Sequence, residues 1–204
     1  MTTLHLIRHG DHDWIGRGLA ARLDVPLNEE GRAQAAALAR HYRGRRVDAV
    51  WASPLRRTVE TATPVADALG LELRTADALL EVDFGAWSGR SFADLEEDPE
   101  WRRWNGARSR VRAPGGETIA EVQARAVGFL NRLCDDDPGG VHVVVGHGDP
   151  IRAVLAYYLG VPIDLFLRIE VSPAAISVLS VDGWGPRVLH VNASIDDRKI
   201  GAGP

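Results

Sequence analysis

The sequence predicts an α/β protein: a three-layer α/β/α sandwich with a mostly parallel central sheet and a small inserted helical cap. Three observations carry that expectation. Short apolar runs alternate with helical stretches bounded by capping residues and glycines, the pattern of layered α/β domains. Two of those runs, starting at Thr3 and Val141, end in a His-Gly pair, His9-Gly10 and His147-Gly148. Such ends lie at the carboxyl edge of a sheet, where α/β folds build their sites. Finally, 204 residues at 45% hydrophobic composition are enough for one core, so residues 1–204 are expected to form a single domain with the cap at about 82–114.

Residues 3–8 read as a buried strand. Asn28 then caps an alanine-rich helix over about 29–43, with Gly44 ending it. Residues 47–52 form a second strand, and Ser53-Pro54 is read as an N-cap and first-turn pair opening a helix through Leu69, closed by Gly70. Residues 71–74 are a short third strand and 141–145 a fourth. Asp149-Pro150 repeats the cap pattern and starts a helix to Leu159, before Gly160. Residues 175–181 are a fifth strand, with 187–191 its hairpin partner at the sheet edge, and about 196–204 reads as a polar tail. The edge near Val188 offers a pairing surface for a homodimer.

Between Phe84 and Pro114 the alternation breaks. Trp87, Phe92, Trp101 and Trp104 are interleaved there with Arg102, Arg103, Arg108, Arg110 and Arg112. The tryptophans are expected mostly to pack, while one or two of the arginines are candidates for a second anionic group on a substrate.

Charge and composition exclude several classes. The 24 basic and 28 acidic residues are interspersed and give a net charge of −4, so no nucleic-acid surface is expected. No apolar stretch reaches membrane-spanning length and no signal-peptide pattern opens the chain, which predicts no membrane partner and a cytoplasmic protein. Cys134 is the only cysteine, ruling out an intramolecular disulfide; its helical, apolar surroundings suggest a buried structural thiol.

Imidazole together with guanidinium suits a tetrahedral oxyanion, and Arg8 beside His9 supplies both. The chain resembles the histidine phosphatase superfamily, which includes phosphoglycerate mutases and many acid phosphatases. The resemblance rests on five ordered elements: Leu-Ile-Arg-His-Gly at 6–10, Ser-Pro-Leu-Arg-Arg-Thr at 53–58, Leu-Leu-Glu-Val-Asp-Phe-Gly-Ala-Trp-Ser-Gly at 79–89, Pro-Gly-Gly-Glu at 114–117 and Val-Gly-His-Gly at 145–148. It implies a metal-independent phosphomonoester hydrolase with no cofactor, acting on a small phosphorylated metabolite through a phosphohistidine on His9. Neutral imidazole can attack phosphorus, and the adduct is labile to water. Gly10 is expected to let phosphate approach without a Cβ in the way.

The same resemblance makes Glu81 the acid that protonates the leaving alkoxide, with Asp83 a nearby competitor, and selects Arg57 rather than Arg56 as a phosphate ligand. Arg8, Arg57 and His147 would neutralise the equatorial oxygens, with Gly10 and Gly148 beside them. A zinc reading of the two histidines fails on spacing, and Arg8 would repel a cation. His5, His142 and His190 read as packed or surface residues, and His41 as a helix C-terminal cation.

Two departures from the pattern stand out. The first motif continues Asp11-His12-Asp13-Trp14-Ile15 where many relatives place serine and asparagine, so Ile15 cannot donate to phosphate and His12 is the candidate replacement donor. Asp149 follows the second His-Gly where mutases commonly carry asparagine; it is read as a helix cap. These changes and the acidic dilution of the cap favour hydrolysis over a phosphoglycerate-type mutase. A non-catalytic phosphate-binding protein is a third reading.

Overall fold

The computed structural model describes residues 1–195; the expected polar tail lies outside them. Six strands form one sheet in the order β3-β2-β4-β1-β5-β6. They are β1 Thr2–Arg8, β2 Ala49–Ala52, β3 Leu73–Thr75, β4 Val141–Gly146, β5 Ile176–Asp182 and β6 Gly185–Ala193. The four strands β3, β2, β4 and β1 are mutually parallel, and β5 and β6 add an antiparallel hairpin.

Alternation along the central strands divides the core in two. Leu4, Leu6 and Val144 pack with α5 (Ile119–Asp136) and α6 (Gly148–Leu159) on one face. Ile7, Val143 and Val145 pack with α1 (Glu29–Tyr42) and α2 (Arg56–Leu69) on the other. The three layers are therefore those expected. α1 begins as read: Asn28 accepts from the Gly31 amide, glutamates 29 and 30 occupy the positive first turn, and Arg40 and His41 the last.

Several expectations shift. Ser53 does not cap α2; the chain bends at Pro54 and Leu55, Leu55 is the extended N-cap without a side-chain bond, and the helix starts at Arg56. Asp149 is not a cap either. α6 begins earlier, with His147 as its extended N-cap, and Asp149 sits inside the first turn. The third strand is displaced to Leu73–Thr75, and the edge strand extends to Gly185–Ala193 around a turn at Gly183-Trp184. The 18-residue α5, opened by a capping box of Thr118 with Glu121, was not placed by sequence reasoning. Cys134 on it is half-buried rather than sealed in the core.

Residues 82–114 hold a single-turn 3₁₀ element at Gly85–Trp87 and the helices α3 (Phe92–Glu96) and α4 (Pro99–Gly106). Their tryptophans do pack: Trp87 and Trp104 are buried, Trp101 stacks on Trp104 with ring centres 5.2 Å apart, and Phe84 meets Trp104 edge-on at 5.5 Å. Among the described residues, no helix is long and apolar enough to cross a membrane.

Candidate active site

The parallel register of β1 and β4 pairs Arg8 with Gly146. The residue after each is a histidine, so His9 and His147 leave adjacent strands side by side with ring centres 5.2 Å apart. The α1 N-terminus is pressed against this loop: a Cβ on Gly31 would lie 2.1 Å from the Asp11 carbonyl, and one on Gly10 would lie 2.7 Å from the Gly31 carbonyl. The Gly10 amide donates to Thr61 Oγ1 at 3.0 Å. Gly10 is therefore required by packing against α1, and its amide faces Thr61 instead of the cavity. The small size expected to serve phosphate approach serves the contact with Gly31 instead.

His9 is buried, and its Nδ1 lies 2.8 Å from the Gly10 carbonyl. A carbonyl only accepts, so Nδ1 carries the proton and Nε2 keeps its lone pair. Burial, reinforced by the Arg57 and Arg8 charges, holds the ring well below the ordinary imidazole pKa; it is neutral at physiological pH. His147 is likewise kept neutral, by burial first and then by Arg57 and His9. Its Nε2 bonds Ser53 Oγ at 2.9 Å. Ser53, read as a cap, instead orients the second histidine.

Arg57 is 1% exposed. Its Nη2 and Nη1 donate to the carbonyls of Ala21 at 2.6 Å and Leu23 at 3.2 Å, while Arg8 Nη1 donates to the Val171 carbonyl at 2.7 Å. Arg8 Nε, Arg57 Nε and His147 Nδ1 are buried and have no hydrogen-bond partner among the described residues. Unsatisfied buried donors are rare and costly. Here Arg8 and Arg57 line one cavity with His9, and the His147 ring lies beside that of His9, an arrangement that suits a phosphoryl group. Arg56 turns away to an exposed pair with Glu60 at 2.7 Å.

Arg8, His9, Arg57, Glu81, Gly148 and Asp149 line one cavity of about 160 Å³. Burial raises the Glu81 pKa to about 7, helped by the Asp149 carboxylate and opposed by Arg57 and Arg8. One of its oxygens accepts from the Val82 amide at 2.9 Å. Asp83, the competing acid, points elsewhere: its side chain meets Arg22 at 3.3 Å and the Gly85 amide at 2.9 Å. Glu81 is also anchored through its carbonyl, which accepts from Arg22 Nε and Arg125 Nη2 at 3.0 and 3.2 Å. Glu117, the last residue of the Pro-Gly-Gly-Glu element, ties these together by binding Arg22, Arg125 and the Asp83 amide. The role of that motif leaves no signal in the sequence, because two of its partners, Arg22 and Asp83, come from distant segments.

The cover of the cavity comes from Phe84 and Phe92 in the cap and also from Trp14 and Ile15 in the loop after His9, which the cap expectation omitted. His12 lies buried with its ring 5.0 Å from that of His9. Its Nδ1 accepts from the Trp14 amide at 3.2 Å, leaving Nε2–H as a donor, and burial followed by the Arg57 and Arg8 charges lowers its pKa to about 4. The arginines of residues 102–112 do not line the cavity. Arg108 stacks over Trp104 and Phe166, and Arg112 pairs with Glu121. The third arginine at the cavity is Arg152 from α6.

A sequence family described as the histidine phosphatase superfamily (branch 1) matches residues 4–194. Phosphoserine phosphatase 1 of Hydrogenobacter thermophilus is 35% identical over 196 residues, covering 94% of this chain and 92% of the relative. A probable phosphoglycerate mutase of Cronobacter sakazakii is 32% identical, covering 87% and 84%. Among solved structures, the native mycobacterial glucosyl-3-phosphoglycerate phosphatase superposes with a TM-score of 0.83 at 28% identity, covering 94% of this chain and 99% of that one.

Proposed function

The chain belongs to the histidine phosphatase superfamily, and from that premise we propose that it hydrolyses a small phosphorylated metabolite, without metal or cofactor, through a phosphohistidine on His9. One observation carries the reading: a neutral imidazole whose Nδ1 is spent on the Gly10 carbonyl lines the same cavity as Arg8 and Arg57, whose buried Nε groups have no partner among the described residues. Nε2 attacks phosphorus, the ester P–O bond breaks, and the leaving alkoxide takes the Glu81 proton. Water then attacks the phosphohistidine, giving its proton back to Glu81, and the P–N bond breaks to release phosphate and neutral His9. Arg8, Arg57, His147 and His12 stabilise the equatorial oxygens throughout. The two guanidiniums that serve the dianion would also oppose a metal cation beside the histidines.

Hydrolysis is preferred to isomerisation because the cap arginines stay out of the cavity, which leaves no strongly cationic chamber for a bisphosphorylated intermediate. The test is phosphate release from a panel of phosphomonoesters in strong chelator, wild type against His9→Ala, with acid-quenched trapping of labelled protein. Phosphoserine, the ester named in the Hydrogenobacter relative, is the first to try. Release that survives chelation and disappears in the variant is expected. Transfer of label between substrate and product positions with little free phosphate would favour the mutase, and binding without turnover the non-catalytic reading.

A further inference from the structure

The carbonyl that fixes the His9 tautomer belongs to the peptide between Gly10 and Asp11. A trans peptide is planar and aims its C=O and N–H in opposite directions, and no peptide among the described residues is cis. On one side the Gly10 carbonyl meets His9 Nδ1 at 2.8 Å; on the other the Asp11 amide donates to Gln34 Oε1 at 2.9 Å. Both polar atoms of this unit are thus spent, one on the nucleophile and one on a side chain of α1.

The neighbouring contacts hold other units. The Gly10 amide, which donates to Thr61, belongs to the preceding peptide. The Asp11 carbonyl, which accepts from the Asn28 amide at 3.2 Å, belongs to the following one. Asn28 Nδ2 binds the Asp11 carboxylate at 2.8 Å. Gln34 is therefore the side chain placed to set the rotation of the Gly10–Asp11 peptide. Its own orientation is fixed: Nε2 donates to Glu30 Oε1 at 3.2 Å, which leaves Oε1 as the end facing Asp11. Gly10 brings no side chain of its own to resist rotation. Turned over, the peptide would offer Nδ1 a donor in place of an acceptor, and the ring proton would move to Nε2, the atom that must keep its lone pair.

We propose that Gln34 is a positioning residue: by holding the Asp11 amide it aims the Gly10 carbonyl at His9 and keeps the ring in the Nδ1–H tautomer that can attack phosphorus. The proposal rests on the hydrolase reading above. Gln34 is half-buried and does not line the cavity, so it acts through the backbone alone.

Two variants test it. Gln34→Met keeps the reach and helix propensity of the side chain without a strong acceptor, whereas Gln34→Glu keeps the acceptor. Phosphohistidine formation, followed by rapid quench, should slow about tenfold in Gln34→Met, the scale of one lost hydrogen bond. KM should change little, and Gln34→Glu should restore the rate. Long-range proton–nitrogen NMR spectra of isotope-labelled protein should show His9 as Nδ1–H in wild type and Gln34→Glu, with the Nε2–H form appearing in Gln34→Met. An unchanged rate and tautomer in Gln34→Met overturns the proposal, and so does an equal loss in both variants. If Gln34→Met yields no folded protein, wild type decides: an Nε2–H ring, or an Asp11 amide that exchanges as fast as an exposed one, overturns it. The spectra need no turnover. If wild type releases phosphate from no ester, the hydrolase reading falls, while the tautomer comparison still decides the part assigned to Gln34.

Discussion

Replacing Glu81 with Gln should make the protein more stable in alkali while impairing its chemistry. In the folded protein burial holds this carboxyl at about pH 7, against 4.5 for an ordinary glutamate. Above pH 4.5 the unfolded chain has already released the proton that the folded chain retains. Stability is thus lost as pH rises from 4.5 to 7, and the loss is complete above 7. Each tenfold difference in proton affinity is worth about 1.4 kcal/mol, so the full cost of this one group is about 3 kcal/mol. Glutamine has nothing to titrate and escapes it. Urea denaturation of wild type and Glu81→Gln at about pH 8 should show the variant more stable by about 3 kcal/mol, and at about pH 4.5 by less than about 0.5 kcal/mol. Phosphate release should fall by roughly 10²-fold or more for esters with poor leaving groups. A stability difference that does not change with pH would refute the reasoning, because the carboxyl would then be ionising as it does in water.

Two further outcomes are expected. Glu117→Gln removes the carboxylate shared by Arg22 and Arg125, at a cost of about 2 kcal/mol in denaturant midpoint experiments; kcat should drop more than KM rises, since those arginines hold the Glu81 carbonyl, and an unchanged kcat would show that Glu81 is positioned by other means. Ser53→Ala removes the 2.9 Å partner of His147 Nε2 and should slow phosphohistidine formation about tenfold, measured by rapid quench; equal rates would mean that burial alone orients the ring.

The strands that carry the site were legible because each signals its own end: an apolar run, then a glycine. The same local logic found α1, whose cap, first-turn acids and last-turn bases all act within the helix. It misjudged Ser53 and Asp149. Both residue types favour N-caps, and here each binds another side chain instead, Ser53 the distant His147 after β4 and Asp149 its helix neighbour Arg152 one turn on. Glu117, Thr61 and the Arg22–Arg125 network were illegible for the same reason. A residue that works by holding another's backbone leaves no periodic trace in the sequence. Choosing Glu81 over Asp83 needed the resemblance; the structure adds that Arg22 and the Gly85 amide occupy Asp83.

The placement of β1 between β4 and β5 has a consequence for synthesis. Of the six strands β1 comes first in the chain yet lies inside the sheet, and its two neighbours, β4 and β5, come well after it. Until they emerge, β1 has no lateral partners, and the loop bearing His9 has no second histidine beside it. Pairing at this sequence separation is entropically slow, so a nascent chain carries His9 long before His147 can stand beside it. Fragments ending before β4 would lack His147 and the strand that seats it beside His9, whatever their helices do.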